Sequence, residues 1–581
     1  MLYPTLSEQA TNRKMVETFR GYNHNIRIGY GEFYDMENMT STHFPVLSPR
    51  DKRGIYASPA NAQGLIAKDS LCFVDGTDFV MNEKRIDMGL STNEEDLPKR
   101  LVSMGAYVII LPDKKYINTK DVTDFGNIEA SISSKESVSF ELCKLDGTNY
   151  SDMTVSATEP TNPENMAVWL DTSSTPHTLK QYSSTTDVWI AIATTYIKIT
   201  SPGIGKPFEI YDGVTISGIE DESLKDLNGT MVIQAKGDDY IVVIGLIDSI
   251  MTQTSPVTVK RQMPNMDFIT ESGNRLWGCR YGVAANGEVV NEIYASKLGD
   301  FKNWNCFMGI STDSYAASCG TDGQFTGAIT HLGYPIFFKE TCLHKVYGTQ
   351  PSNFQIQTTA CRGVQRGCED SLAIVNEILY YKARSAVCSY DGSLPTEMST
   401  ALGEEVYSDA VGGAHGNKYY ISMMSTDGKF HLFVYDTAKG MWHREDNTKV
   451  RAFCSCRGEM YFIDDKDGKI KTVFGSGTPE EEPVKWMVET GVLGTDSPDK
   501  KYISRVTFRM ALEVGTRITI EAQYDSSGEW EHLSSMTGMS LRSFPISVRP
   551  RRCDHLKLRI LGEGGAKIYS YAKTSEQGSD Y

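Results

Sequence analysis

The sequence contains no long hydrophobic run. Residues 1–8 read Met-Leu-Tyr-Pro-Thr-Leu-Ser-Glu and hold neither a basic segment nor an apolar core. No stretch of about 18 apolar residues, the minimum for a membrane-spanning helix, occurs in the chain. We therefore expect no secretory signal and no membrane insertion by this chain.

Metal-binding cysteine spacing is also absent. The 12 cysteines are scattered, and no two of them form a Cys-x-x-Cys pair. The closest two, Cys454 and Cys456, are predicted to lie on one strand. We expect free thiols in a reducing cytosol, without disulfides, and we predict no metal and no cofactor.

Positive charge is scarce. The chain has 58 Lys and Arg against 74 Asp and Glu, which gives a formal net charge of -16 at pH 7. This balance argues against a protein that wraps nucleic acid, because phosphate backbones favour basic surfaces. It does not exclude a channel through which DNA passes, since an acidic wall lets a polyanion slide without sticking.

Catalytic motifs are missing as well. There is no Gly-x-Ser-x-Gly elbow and no phosphate-binding Gly-x-x-x-x-Gly-Lys-Ser/Thr loop. The repeated Ser-x-Asp-x-Gly-x-Thr-Trp box of propeller sialidases is present only as fragments, at 425–428 and 525–530. We predict that the chain is not an enzyme and has no catalytic residue. Five histidines in strand or loop positions are predicted to be structural: His331, His344, His415, His431 and His443.

A short apolar strand core that recurs at nearly constant spacing dominates the second half of the chain. Its centres are Ile336, Leu379, Tyr420 and Tyr461, which are 43, 41 and 41 residues apart. Each core is bounded by Gly and Asp turn residues, which suit hairpins. A period of about 40 residues with several short strands is typical of a β-propeller blade.

The predicted fold is therefore all-β: a β-propeller of about seven blades, with six or eight as alternatives, carrying inserted small β modules and a C-terminal β-sandwich. Within the insertion, Trp169, Tyr182 and Trp189 are predicted to form the core of a three-strand meander. The predicted segments are an N-terminal arm (1–45), a first set of blades (46–135), the inserted modules (136–262), a second set of blades (263–478) and the sandwich (484–575).

One blade carries a family resemblance. It contains Arg275-Leu276-Trp277, then Ile293-Tyr294-Ala295-Ser296, then Gly299-Asp300-Phe301-Lys302-Asn303-Trp304. This order resembles the propeller of short-tailed phage tail proteins, the nozzle or packaged-DNA stabilization (tail hub) family. The segment with Asp171-Thr172, Tyr182 and Trp189 is similar to a small module of many phage tail proteins. The resemblance covers residues 260–475, and none of it is a catalytic motif.

The resemblance implies a structural virion protein. Such a chain is made in the cytoplasm of a bacterial host and forms a hexameric ring of the tail channel, which retains the packaged genome and conducts it during ejection. Expected partners are further copies of the chain, neighbouring tail or adaptor proteins at the head–tail connection, and genomic DNA that passes without specific binding. Two alternatives stay open: a receptor- or polysaccharide-binding tail protein, and a glycan-degrading propeller enzyme.

The candidate contact site is a basic cluster near the C-terminus. Its members are Arg542, Arg549, Arg551, Arg552, Lys557 and Arg559. A solvated or salt-bridged face is the simplest interpretation, and contact with an acidic partner protein or with DNA phosphate are the alternatives.

A second acidic motif resembles the start of a calcium loop. It consists of Asp464, Asp465 and Asp467, but Ser476 stands where an EF-hand requires Glu. We therefore predict a plain hairpin turn at this position.

Overall fold

The structure is a computed structural model, and it describes residues 11–96, 98–284, 287–479, 481, 483–495, 500–547 and 552–577. Strands dominate the described residues, and the helices among them are short 3-10 turns, which confirms the predicted all-β fold. Those turns are η1 (Glu94–Asp96), η2 (Glu222–Leu227), η3 (Pro351–Asn353), η4 (Glu369–Ser371) and η5 (Thr400–Leu402). No helix of these residues has the length and apolar character that crossing a membrane requires.

The chain divides into two compact units. Unit 1 comprises Met1–Leu101, Phe337–Leu343 and Thr358–Tyr581, and unit 2 comprises Val102–Ile336 and His344–Gln357. Both units contain four-stranded antiparallel sheets of the kind that form propeller blades. The domain boundaries drawn from the sequence and the number of blades stay predictions.

Short strands fill the segment predicted to be an extended arm. They are β1 (Thr11–Val16), β2 (Gly21–Tyr22), β3 (Glu32–Glu37) and β4 (Met39–Thr40), followed by β5 (Ser48–Pro49) and β6 (Gly54–Ala57). Phe19, Phe33 and Met36 are buried, and the rings of Phe19 and Phe33 stack 5.8 Å apart. The segment thus contributes Phe19, Phe33 and Met36 to the core of unit 1, where these side chains find apolar partners.

Two four-stranded sheets follow. The first contains β7 (Ala62–Ala67), β8 (Leu71–Asp75), β9 (Asp78–Met81) and β10 (Lys84–Asp87). The second contains β11 (Arg100–Met104), β12 (Tyr107–Leu111), β13 (Lys115–Asn118) and β14 (Phe125–Asn127). Cys72 lies on β8 and Val108 on β12, which are the second strands of the two sheets. Both residues are completely buried.

The insertion forms three sheets in unit 2. Its strands are β15 (Ala130–Ser133), β16 (Val138–Cys143), β17 (Met153–Ser156), β18 (Val168–Asp171), β19 (Thr178–Ser183), β20 (Val188–Ala191), β21 (Tyr196–Thr200), β22 (Gly213–Ser217), β23 (Gly229–Val232), β24 (Ala235–Gly237), β25 (Tyr240–Ile244), β26 (Met251–Gln253) and β27 (Thr258–Arg261). The sequence predicts separate small modules here. Instead, aliphatic residues from both halves, such as Leu170 and Val214, fill one common core.

Unit 2 also holds the blade that carries the family resemblance. That sheet consists of β28 (Phe268–Ser272), β29 (Arg275–Val283), β30 (Val289–Ala295) and β31 (Tyr315–Ser318). The next sheet consists of β32 (Phe325–His331), β33 (Tyr334–Lys339), β34 (Cys342–Tyr347) and β35 (Gln355–Ala360). Leu276, Phe301 and Trp304 are buried together in one apolar cluster of unit 2.

The later repeats lie in three sheets of unit 1, and the second of these continues through β2 and β3 into the C-terminal strands as one larger sheet. Their strands are β36 (Ala373–Val375), β37 (Ile378–Lys382), β38 (Val387–Tyr390), β39 (Thr396–Glu397), β40 (Tyr407–His415), β41 (Lys418–Ser425), β42 (Phe430–Asp436), β43 (Met441–Arg444), β44 (Val450–Cys456), β45 (Glu459–Asp464), β46 (Ile470–Thr472) and β47 (Thr478–Pro479). The last sheet has the order β44-β45-β46-β6-β47, so the N-terminal strand β6 completes it. In this pairing Thr472 of β46 lies opposite Gly54 of β6, about four hundred residues earlier in the chain. The pairing therefore attaches an N-terminal strand to the last repeat sheet.

The C-terminal segment is built around one long strand. Its strands are β48 (Lys485–Thr490), β49 (Lys501–Tyr524), β50 (Glu531–Ser547), β51 (Arg552–Cys553), β52 (Leu556–Glu563) and β53 (Ala566–Gln577). The first half of β49 pairs with β53 and the second half with β52, and the register shifts between Leu512 and Arg517. Gly515 has a φ of 89°, which suits this interruption of the strand.

Candidate functional site

The sheet formed by β17–β20 has one face in the core of unit 2 and one outer face. Its core side carries three almost fully buried aliphatic residues: Val168, Leu170 and Leu179. Side chains alternate along a strand, so Trp169, Asp171 and Lys180 lie on the outer face. The register places Lys180 opposite Trp169 and Trp189 opposite Tyr182, which brings both pairs to that face.

Three aromatic rings form a continuous group on this outer face. The Trp189 ring centroid lies 5.4 Å from that of Trp169, at an interplanar angle of 68°. It lies 5.4 Å from the Tyr182 ring on the other side, at 54°. Trp169 is buried, and its Nε1 donates to the backbone carbonyl of Ser156 at 2.9 Å. Trp189 and Tyr182 are half-buried and keep exposed ring surface.

An ion pair borders the aromatic group. Lys180 Nζ lies 2.7 Å from Asp171 Oδ2 and 4.7 Å from the centroid of the Trp169 ring. The hydrogen bond from Lys180, with those from Ser173, lowers the pKa of Asp171 to about 2. Asp171 therefore stays ionised at every ordinary pH. On the other side, the Tyr182 hydroxyl donates to Asp187 Oδ1 at 2.5 Å, and this bond raises the pKa of Tyr182.

One donor in the aromatic group has no acceptor. Trp189 Nε1 is enclosed by protein and forms no hydrogen bond to any residue that the structure describes. An indole N–H can only donate, and an enclosed donor without an acceptor is energetically unfavourable. Because protein encloses this N–H, contact with a ligand falls to the exposed surfaces of Trp189 and Tyr182.

The arrangement combines the two elements of a small-molecule binding surface. Aromatic faces give apolar contact area, and fixed polar groups beside them orient a ligand. A sugar ring matches both, because its C–H face stacks on an aromatic ring while its hydroxyl groups exchange hydrogen bonds with charged side chains. The outer face of β17–β20 is accordingly a candidate carbohydrate site.

A second candidate site lies in unit 1, at turn η4. Arg100 Nη2 donates to Glu369 Oε1 at 2.7 Å. The neighbouring Asp370 has an exposed side chain, yet the surrounding protein desolvates its carboxylate and raises its pKa, against the opposing effect of Arg100. The adjacent Ser371 is buried and accepts the hydroxyl of Tyr419 on its carbonyl at 2.8 Å, which holds the turn in place.

The members of the predicted basic cluster that the structure describes differ in exposure and in ion pairing. Arg549 and Arg551 lie outside the described residues. Lys557 and Arg559, on β52, both pair with Glu489 of β48, at 3.3 and 3.0 Å. The remaining two members, Arg542 and Arg552, are exposed. A contact with DNA phosphate or a partner protein through this cluster stays a prediction.

The predicted turn at 464–468 contains ion pairs. Asp464 pairs with Lys471 at 2.6 Å, and Asp465 pairs with Lys449 and Arg451. Within the described ranges, no group of three or more His, Cys, Asp or Glu side chains is arranged to hold a metal ion.

The sequence finds part of these sites. It identifies Trp169, Tyr182 and Trp189 but assigns all three to a core, whereas only Trp169 is buried. The alternation Val-Trp-Leu-Asp at 168–171 was the signal for two distinct faces. The pair Arg100 and Glu369 was missed, because these residues are 269 positions apart and belong to no motif.

No family model matches the chain. No curated protein matches its sequence either.

Solved structures align with the chain at low similarity. An exo-β-1,3-galactanase from Phanerochaete chrysosporium is 10% identical and aligns over 52% of this chain and 94% of its own, with a TM-score of 0.23. A glycoside hydrolase family 43 arabinoxylan arabinofuranohydrolase from Bacillus subtilis is 9% identical over 52% and 94%, with a TM-score of 0.19. Apo AztD from Citrobacter koseri is 9% identical over 85% and 98%, with a TM-score of 0.25.

These alignments correct one prediction. Several of the aligned structures are glycoside hydrolases, which contradicts the prediction that the chain is not an enzyme, and that prediction is withdrawn. At TM-scores of 0.25 or lower the aligned proteins assign no activity to this chain. Any function has to be argued from its own side chains.

Proposed function

We propose that this protein binds carbohydrate through the outer face of β17–β20. The observation that carries the proposal is the Trp169–Trp189–Tyr182 group, in which Trp189 and Tyr182 keep exposed surface beside the Asp171–Lys180 ion pair. This function corresponds to the polysaccharide-binding alternative considered from the sequence.

The charges of the site favour a sugar over a nucleic acid. The lysine of the face, Lys180, is neutralised by Asp171, and the whole chain carries a net charge of -16. Single-stranded nucleic acid also stacks on aromatic rings, but its binding sites add a positive groove along the phosphates. Carbohydrate needs the rings and hydrogen-bonding groups without that groove.

The test is retention of the full chain in native gels that contain purified polysaccharides. Trp189→Ala and Tyr182→Ala are expected to abolish retention, because they remove the exposed ring surface. Phe307→Ala is the matched control, since Phe307 is an aromatic residue of the same unit with 55% exposure and lies outside the site. Retention unchanged by Trp189→Ala would refute the assignment of the site.

A second candidate function is glycan hydrolysis in unit 1. Glycosidases use two carboxyl groups whose environments differ, one kept as an acid and one ionised. Asp370, with its raised pKa, and Glu369, paired with Arg100, have such different surroundings. Release of reducing sugar that Asp370→Asn and Glu369→Gln abolish, and that Glu94→Gln leaves intact, would support hydrolysis.

The role in a phage tail stays a prediction from the sequence resemblance. Hexameric assembly, location in the virion and passage of the genome are not addressed by the sites described above. Electron microscopy of virions would test them, with a ring on the tail axis as the expected image.

A further inference from the structure

The strand register shows which charged side chains lie on the outer face of β17–β20, here called the carbohydrate face. The side chains on the outer side of the sheet are those of Thr154, Ser156, Trp169, Asp171, Thr178, Lys180, Tyr182, Trp189 and Ala191. Among these, the charged residues are Asp171 and Lys180, and Asp187 adds a carboxylate in the turn bonded to Tyr182. The described part of the face therefore carries one cation and two carboxylates.

The one cation is not available to a ligand. Lys180 Nζ is 2.7 Å from Asp171 Oδ2 and lies over the Trp169 ring, 4.7 Å from its centroid. Asp171 is itself almost fully buried, so the attraction between the two charges is screened less than at an open surface. An acidic sugar would have to compete with Asp171 for Lys180 while approaching the carboxylate of Asp187.

From this arrangement we infer that the face selects uncharged saccharides and rejects those bearing carboxylate or phosphate groups. The inference rests on the carbohydrate-binding function proposed above and specifies its ligand class. Selection arises in two parts. The exposed aromatic rings bind a neutral sugar, and the excess of carboxylates repels an anionic one.

Asp171 is thus the residue that determines specificity. Asp171→Asn keeps the shape of the side chain and removes its charge, which releases Lys180 to bind an anion. This substitution is expected to strengthen retention by acidic polymers about tenfold, the effect of one released charge near the ligand. The gain should disappear in roughly 1 M salt, where screening extends over only about 3 Å.

The experiment measures retention of the full chain in gels containing dextran or laminarin as neutral polymers and hyaluronan or alginate as acidic ones. Asp238→Asn is the matched control, because it makes the same charge change in the exposed turn between β24 and β25. Thr178→Lys is a second variant, which adds a cation opposite Asp171 and retains both Asp171 and Lys180. Both Asp171→Asn and Thr178→Lys should gain binding to hyaluronan and alginate, and Asp238→Asn should not.

The outcomes separate the two proposals. Retention of the wild type by neutral polymers alone, lost in Trp189→Ala, supports both. Retention by acidic polymers in preference to neutral ones, also lost in Trp189→Ala, overturns the neutral selectivity and leaves the carbohydrate function standing. An equal gain in Asp171→Asn and Asp238→Asn overturns the role of Asp171. Absence of retention by every polymer overturns the carbohydrate function, and the selectivity with it.

Discussion

Arg53 and Glu445 form a buried ion pair in unit 1, with Arg53 Nη2 lying 2.8 Å from Glu445 Oε2. Arg53 immediately precedes β6, and Glu445 immediately follows β43. Both side chains are only 4% exposed, and Asp446 accepts a second bond from Arg53 at 2.7 Å. The pair therefore ties the N-terminal strand that completes the last repeat sheet to the sheet before it.

Removal of Arg53 is expected to be strongly destabilising. Arg53→Met would leave Glu445 buried without its closest cation, a change that costs about 3–5 kcal/mol in comparable buried pairs. Urea denaturation followed by tryptophan fluorescence would measure the loss in the free energy of unfolding. Arg362→Met is the control, because Arg362 pairs with Glu397 at 2.9 Å and both side chains are exposed (56% and 39%), so its loss should cost no more than about 1 kcal/mol. Equal losses in the free energy of unfolding for the two variants would contradict the role assigned to burial of the Arg53–Glu445 pair.

His443 is expected to make stability depend on pH. Burial lowers its pKa to about 3, with a smaller contribution from Lys418, whereas an unfolded histidine titrates near 6.5. Between these values the unfolded chain binds a proton that the folded chain does not. The free energy of unfolding should therefore fall as the pH falls from about 6.5 to about 3, by at most about 1.4 kcal/mol per pH unit.

The contribution of His443 can be isolated with substitutions. His443→Gln should reduce the pH dependence of the denaturation midpoint in that window, because it removes one titrating group, while His415 and His431, whose pKa values burial also lowers, retain theirs. His532→Gln should leave the dependence unchanged, since His532 is exposed. A wild-type midpoint that does not vary between pH 6.5 and pH 4 would show that His443 titrates normally in the fold.

The loop at residues 307–313 of unit 2 is held by hydrogen bonds to Asp313. Asp313 Oδ2 accepts the backbone N–H groups of Met308, Gly309 and Ile310, at 2.5, 2.6 and 3.1 Å. Arg275 is buried and donates to the carbonyl oxygen of Asp313 at 2.5 Å. These bonds fix the loop backbone, although its apolar side chains face solvent.

Asp313→Ala is expected to open this loop. The substitution leaves three N–H groups without their acceptor and should cost roughly 2–4 kcal/mol locally. Chymotrypsin should then cleave after Phe307 at least about tenfold faster, since proteolysis requires local unfolding. Asp238→Ala, in an exposed turn, should not change the cleavage rate. Resistance of Asp313→Ala to the protease would show that other contacts hold the loop.

The sequence predicts the strands, because their positions depend on the local spacing of apolar residues. Leu379, Tyr420 and Tyr461 lie on β37, β41 and β45, so the period of about 41 residues correctly marks equivalent strands of successive sheets. The alternation of apolar and polar residues in β49 likewise marks a half-buried strand, because side chains on a strand alternate between faces. Such signals identify strands but not their neighbours.

Pairing between strands or side chains that are far apart in the chain cannot be predicted from the sequence, for a physical reason. β6 is joined to β46 by backbone hydrogen bonds, which carry no side-chain signature. The partner of Arg559 is Glu489, 70 positions earlier, and only the fold brings the two together. The outer face of β17–β20 could not be predicted for a related reason, since the exposure of the Trp189 ring depends on how far the sheet extends beyond its core.

Packing of Trp486 against Gly562 provides the last prediction. A Cβ atom added at Gly562 would lie 2.0 Å from Cε2 of the Trp486 ring, so no larger residue fits unless the ring moves. Trp486 is buried, and its Nε1 donates to the carbonyl of Gly564 at 2.8 Å, which restrains that movement. Gly562→Ala should therefore cost about 1–3 kcal/mol through overpacking. Gly320→Ala is the matched control, because nothing lies within 4 Å of the added atom, and it should change stability by no more than about 0.5 kcal/mol. Thermal denaturation of both variants would check the difference, and a neutral Gly562→Ala would show that Trp486 can shift within the C-terminal sheet.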